Sequence, residues 1–194
     1  MAGNARAALA AMALMLGQIS SGALAQADSV DSLARDLDRV ESIRAVKTLT
    51  RSYAQYAQHG LWTEVGALFA PSGAYLFDGQ MKPIEIAKGG PAIAALLRAR
   101  YGGGKDGPAA DGLSTILVEN AIINLSTDGE SARGRWNAMI FHGAGAQARI
   151  EGGIFVIDYL REGGVWKIGT LHYYPQFDGA YADGWLNWGG GGLP

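Results

Sequence analysis

Apolar residues crowd the last third of the chain in three runs, SARGRWNAMIFH (131–142), RIEGGIFVIDYL (149–160) and VWKIGTLHYYP (165–175). Each reads as a strand, with side chains pointing alternately to the two faces. The links between them, GAGAQA and REGG, are short and rich in glycine, which predicts antiparallel hairpins. Leu113–Leu125 is a further long strand ending in the turn Ser126-Thr127-Asp128-Gly129. Upstream the period changes. Val30, Leu33, Leu37, Val40, Ile43, Val46 and Leu49 recur three or four residues apart, which predicts a helix from Val30 to Gln58. Asp28 and Ser29 can cap it, Gly60 can stop it, and Ser42 is a point where it can divide in two.

A short helix is predicted over Leu61–Ala70, ended by Pro71. A small hairpin, Ala74–Phe77 with Met81–Ile86, turns at Asp78-Gly79, and Pro83 puts its second strand at an edge. A third helix covers Pro91–Tyr101, and the glycine-rich stretch 102–112 is a loop. Helices segregated from antiparallel strands define an α+β fold, with the helices covering the apolar face of a curved sheet.

Composition narrows the possible functions. The chain has 194 residues, 48% hydrophobic and 18% charged, a net charge of −2 and three histidines. Its Lys and Arg are scattered, which sets nucleic-acid binding aside. It contains no cysteine, so disulfides and thiolate chemistry are excluded. Residues 1–27 have the form of an export signal: Arg6, the apolar run AALAAMALML (7–16), and small-x-small sites at Ala23-Leu24-Ala25 and Ala25-Gln26-Ala27. That run is too short to stay in a bilayer. The expected organisation is a signal over 1–27, one domain over 28–175 and a glycine-spaced aromatic tail over 176–194. The expected location is periplasmic or secreted. Phe177, Tyr181, Trp185 and Trp188 predict that the tail folds back, since burying each is worth roughly 1.5–3 kcal/mol.

The chemistry-bearing residues cluster on the strands. His142 shares strand parity with Trp136, Ala138 and Ile140, which points an imidazole inward, where it can accept or give a proton near neutral pH. His172 shares parity with Trp166, Ile168, Thr170 and Tyr174. His59, at a helix end, reads as structural. Tyr53 and Tyr56 continue the apolar stripe of the first helix, and Tyr53 can polarise a carbonyl or phenol. Asp158 and Glu119 lie on long strands, with Arg133 and Arg135 as available partners. The run Gly143–Ala148 imitates a dinucleotide loop but is followed by a strand, and the histidines lack metal-binding spacing.

Tyr53-x-x-Tyr56-x-x-x-x-x-Trp62 with Ala67-Leu68-Phe69-Ala70, Val118-Glu119-Asn120-Ala121-Ile122-Ile123, and Gly164-Val165-Trp166-Lys167-Ile168 resemble motifs of the SnoaL-like branch of the NTF2-like superfamily. The resemblance covers about residues 36–175 and implies a cone-shaped α+β fold, N-terminal helices on a mostly antiparallel sheet that encloses a pocket. It also implies cofactor-free acid/base chemistry of the scytalone dehydratase type. The family's second histidine falls on His142, counting from Gly134. Its aspartate falls on Gln58, a helix tyrosine on Ala57, and its first histidine near Ile116 or Leu117.

Two functional readings follow. The first is a cofactor-independent lyase, of dehydratase, deformylase or isomerase type, acting on a small aromatic molecule. The resemblance extends to enzymes that remove formaldehyde from lignin-derived diarylpropanes. His142, Tyr53 and His172 are its catalytic candidates, and Tyr56, Gln58, Tyr75, Phe77, Ile116, Trp136 and Tyr174 its substrate-binding candidates, with no metal or cofactor. The second is a non-catalytic binding protein for a hydrophobic aromatic ligand. Both expect a small-molecule partner, no stable membrane insertion and assembly as a homo-oligomer.

Overall fold

A computed structural model describes residues 3–77, 84–107, 112–144 and 147–181. The elements in chain order are α1 (Gly3–Gln58), α2 (Trp62–Ala67), β1 (Phe69–Phe77), β2 (Ile84–Lys88), α3 (Gly90–Tyr101), β3 (Gly112–Leu125), β4 (Ser131–Ala144), β5 (Gln147–Glu162) and β6 (Val165–Tyr181). Six strands make one sheet in the order β2-β1-β6-β5-β4-β3. Every neighbouring pair is antiparallel except β1 with β6, which is parallel. The α+β class and the helix-covered, curved sheet agree with the reading of the sequence.

The chain divides into two compact units, one ending at Glu41 and one beginning at Ser42. In the first, the apolar stripe of α1 stands in solvent: Val30, Leu33, Leu37 and Val40 are 60–70% exposed. The helix does not divide at Ser42. In the second unit, α1 buries Ser42, Val46, Leu49, Thr50, Tyr53, Ala54 and Ala57, a face repeating every three or four residues.

That face meets one core with α2, α3 and the concave side of the sheet, centred on Trp62, Val65, Phe69, Ile93, Leu97, Phe155, Ile157, Ile168 and Leu171. A polar chain crosses it. The Trp136 indole donates to the Tyr159 hydroxyl at 3.0 Å, Tyr159 meets the Thr50 hydroxyl, and Thr50 donates to the Val46 carbonyl at 3.2 Å. Each buried polar atom in that chain therefore has a partner.

The helix expected to start at Val30 begins at Gly3, so Asp28 and Ser29 lie within it and do not cap it. Two further boundaries and one parity differ from the sequence reading, each because sheet pairing overrides local pattern. The helix predicted to run to Ala70 ends at Ala67, and β1 starts at Phe69, because the Ile168 N–H donates to the Leu68 carbonyl at 2.9 Å and Phe69 pairs with Ile168. The last strand does not stop at Pro175. It continues to Tyr181 along β5, with Pro175 at a register shift where no ladder donor is required. The third concerns parity. Tyr159 pairs with Ile168 but Asp158 with Thr170, so Gly169 is an extra residue in β6. Beyond it Leu171 and Tyr173, rather than His172, join Trp166 and Ile168 in the core. The Asp78-Gly79 turn, Pro83 and tail residues 182–194 lie outside the described residues.

Candidate active site

His142 lies near the end of β4 on the face that buries Trp136, Ala138 and Ile140. Ile140 stands opposite Glu151 on β5, which sets Glu151 diagonal to His142 on the same face. The imidazole Nε2 lies 2.7 Å from Glu151 Oε1. Glu151 is only 5% exposed, a carboxylate that burial would penalise heavily without such a partner. With the carboxylate accepting, Nε2 carries a proton, and in the neutral ring this leaves the lone pair on Nδ1.

Tyr101 closes the other side. It is the last residue of α3, and its ring meets the imidazole edge-on, with centroids 5.5 Å apart at 88°. From there aromatic side chains pack on one another through the core. Phe77 and Tyr173 are 5.9 Å apart, Tyr173 and Phe155 5.1 Å, Phe155 and Tyr53 5.9 Å, and Tyr53 and Phe69 6.4 Å. The Arg100 guanidinium lies 4.6 Å over the Phe77 ring and 5.3 Å from the Tyr101 ring, a cation–π arrangement.

Burial, then the nearby Glu151 charge, pushes the Tyr101 phenol up to about 12. Burial also raises Tyr53, Tyr75 and Tyr173 above the ordinary phenol range, and neighbouring tyrosines add to each. These phenols stay neutral at physiological pH and remain O–H donors. The buried hydroxyl of Tyr173 makes no hydrogen bond among the described residues, and that of Tyr101 has only the Arg100 guanidinium near it. Leaving such a group unmatched costs about 1–3 kcal/mol, and a ligand that accepts from it recovers that cost.

The structure gathers some of the residues expected from the sequence and disperses others. His142, Tyr53 and Tyr75 share the inner face, with Phe77 at its rim. His172 and Tyr174 do not join them: beyond Gly169 they fall on the opposite face of β6, stacked on each other with centroids 3.8 Å apart. Trp136 spends its N–H on Tyr159, and Ile116 is core. Tyr56 and Gln58 are half-buried on the last turns of α1. His59 is exposed, with Nδ1 2.9 Å from the Gln55 carbonyl. Asp158 pairs with Arg133 at 2.8 Å.

Glu151, Tyr101, Arg100 and Tyr173 were not singled out from the sequence. Parity held the signal for Glu151, which stands an even number of residues before Phe155, Ile157 and Tyr159; a charge in step with that apolar series marks a partnered buried group. Among the described residues no group of three His, Cys, Asp or Glu could hold a metal, and no helix is long and apolar enough to cross a membrane.

The chain belongs to the SnoaL-like domain family, whose model matches residues 38–172. No curated protein sequence matches it. Among solved structures, it resembles hexachlorocyclohexane dehydrochlorinase LinA-type3 from Novosphingobium barchaimii, at 17% identity and a TM-score of 0.62, covering 76% of this chain and 94% of that one. A candidate scytalone dehydratase from Novosphingobium aromaticivorans is 16% identical with a TM-score of 0.61, covering 74% and 90%. An NTF2-like protein with a cystatin-like fold from the latter organism is 22% identical with a TM-score of 0.56, covering 78% and 92%. At these identities the likeness is one of fold.

Proposed function

We propose that the chain is a cofactor-independent lyase acting on a small aromatic molecule. The observation that carries this reading is the His142–Glu151 pair, held at 2.7 Å on the inner face beside Tyr101. Nδ1 of His142 takes a proton from the substrate, and the released electron pair forms the new double bond as the leaving group departs with its own bonding pair. The same nitrogen returns the proton to the leaving group. Glu151 fixes the tautomer and offsets the imidazolium charge, while neutral phenols donate to oxygen where negative charge develops. The aromatic lining suits a flat ring, and a lignin-derived phenolic fits that description. The dehydrochlorinase and dehydratase names carried by the fold's relatives support elimination chemistry. The export-type segment over residues 1–27 fits a periplasmic or secreted enzyme.

The test is a thermal-shift screen of phenolic compounds followed by product analysis of each hit. His142→Ala is expected to keep the fold and lower turnover at least about a hundredfold. Unchanged turnover in that variant would end the proposal. One observation favours a second reading, a binding protein for an aromatic ligand: Gln58 and Ile116 stand where the resemblance expects an acid and a histidine. Hits that bind but are never converted would select it.

A further inference from the structure

Of the eight arginines in the second unit, three lie against carboxylates in the strands and helix around the site. Arg98 pairs with Asp106 at 2.8 Å, Arg133 with Asp158 at 2.8 Å and Arg149 with Asp178 at 2.6 Å. Arg100 differs. It lies against the faces of Phe77 and Tyr101 at the edge of the lined interior and has no carboxylate partner within ion-pair distance among the described residues. Glu151, the buried carboxylate nearest the reacting groups, is held by His142 instead.

A guanidinium is planar and presents its N–H donors from its edge. Stacking on rings occupies its face and leaves that edge for an acceptor. Even with one N–H turned to the Tyr101 hydroxyl, most of its donors remain. Arg100 is exposed, so that edge is open to an acceptor arriving from solvent, and a charged hydrogen bond is stronger than a neutral one. Two parallel N–H groups match the two oxygens of a carboxylate, the strong bidentate arrangement. A phenol in water stays neutral near pH 7, whereas an aryl-linked carboxylic acid is ionised, so a fixed cation favours the acid.

We propose that the site takes aromatic carboxylates, the ring lying against Phe77 and Tyr101 at the rim of the core and the carboxylate held by Arg100. This deepens the lyase reading and rests on the same interior, but it concerns what is bound rather than what is converted.

Calorimetric titration of the full chain with 4-hydroxycinnamate and with its methyl ester tests it. The wild-type protein is expected to bind the acid about tenfold or more tighter than the ester. Arg100→Gln is expected to abolish that preference while changing ester affinity less than about twofold, and Arg100→Lys to restore part of it. Equal affinities in the wild type, a preference that survives Arg100→Gln, or no saturable binding of either compound would each overturn the assignment. A preference for the acid without any product would leave this inference standing and remove the lyase. Turnover of phenolics that depends on His142 but is indifferent to Arg100 would do the reverse.

Discussion

Glu151 shows how much chemistry one side chain can hold in this interior. It is buried, it binds the imidazole of His142 at 2.7 Å, and its charge acts on Tyr101 and Tyr173. Glu151→Gln keeps the shape and removes the charge. In the proposed mechanism kcat falls about ten- to hundredfold while KM stays within a factor of two, because the carboxylate steadies the imidazolium rather than the bound substrate. Steady-state kinetics on a converted compound check this, and a rise in KM alone would assign Glu151 to binding. His142 was legible in the sequence because Trp136, Ala138 and Ile140 fix its parity. Glu151 was hidden by the Gly152-Gly153 pair that follows it, which offers no side chains to continue the pattern.

Among the elements, long strands declared themselves and their partners did not. Alternation located β3 to β5 within two residues at each end and fixed the start of β6 but not its last six residues, and nothing local in Phe69 announces a parallel partner in β6. Helix ends rest on backbone geometry. Gly60 follows α1 with φ +67°, and a Cβ there would clash with the backbone of Gly107, whose N–H donates to the Gly60 carbonyl at 3.1 Å. Gly60→Ala is expected to cost roughly 1–3 kcal/mol and to lower Tm by about 5 °C. Gly103→Ala, at φ +59° with nothing within 4 Å of its Cβ, pays only the backbone strain and should lower Tm less. Thermal melts of the two variants check the ordering, and equal melting points would show that the Gly60–Gly107 contact is loose.

At the scale of the molecule, the interior's tyrosines tie stability to alkaline pH. Above about pH 10 the unfolded chain's phenols lose their protons, while the folded state keeps Tyr101 protonated up to about 12. The folded chain then binds more protons than the unfolded one, so stability falls as pH rises through that window. Denaturant midpoints are expected to hold from pH 7 to about 9 and to drop between about pH 10 and 12, with phenolate absorbance of the buried rings appearing together with unfolding. A flat stability profile across that window would mean that these rings are open to water.

Gly169 has a consequence of another order. As a single inserted backbone unit it inverts β6 as far as the second register shift at Pro175, turning Tyr173 into the core and His172, itself buried, to the opposite face. Which ionisable group the core face receives is thus written in the length of a strand, not in the identity of its side chains. Relatives that differ by one residue at this bend can hold different chemistry behind nearly the same letters.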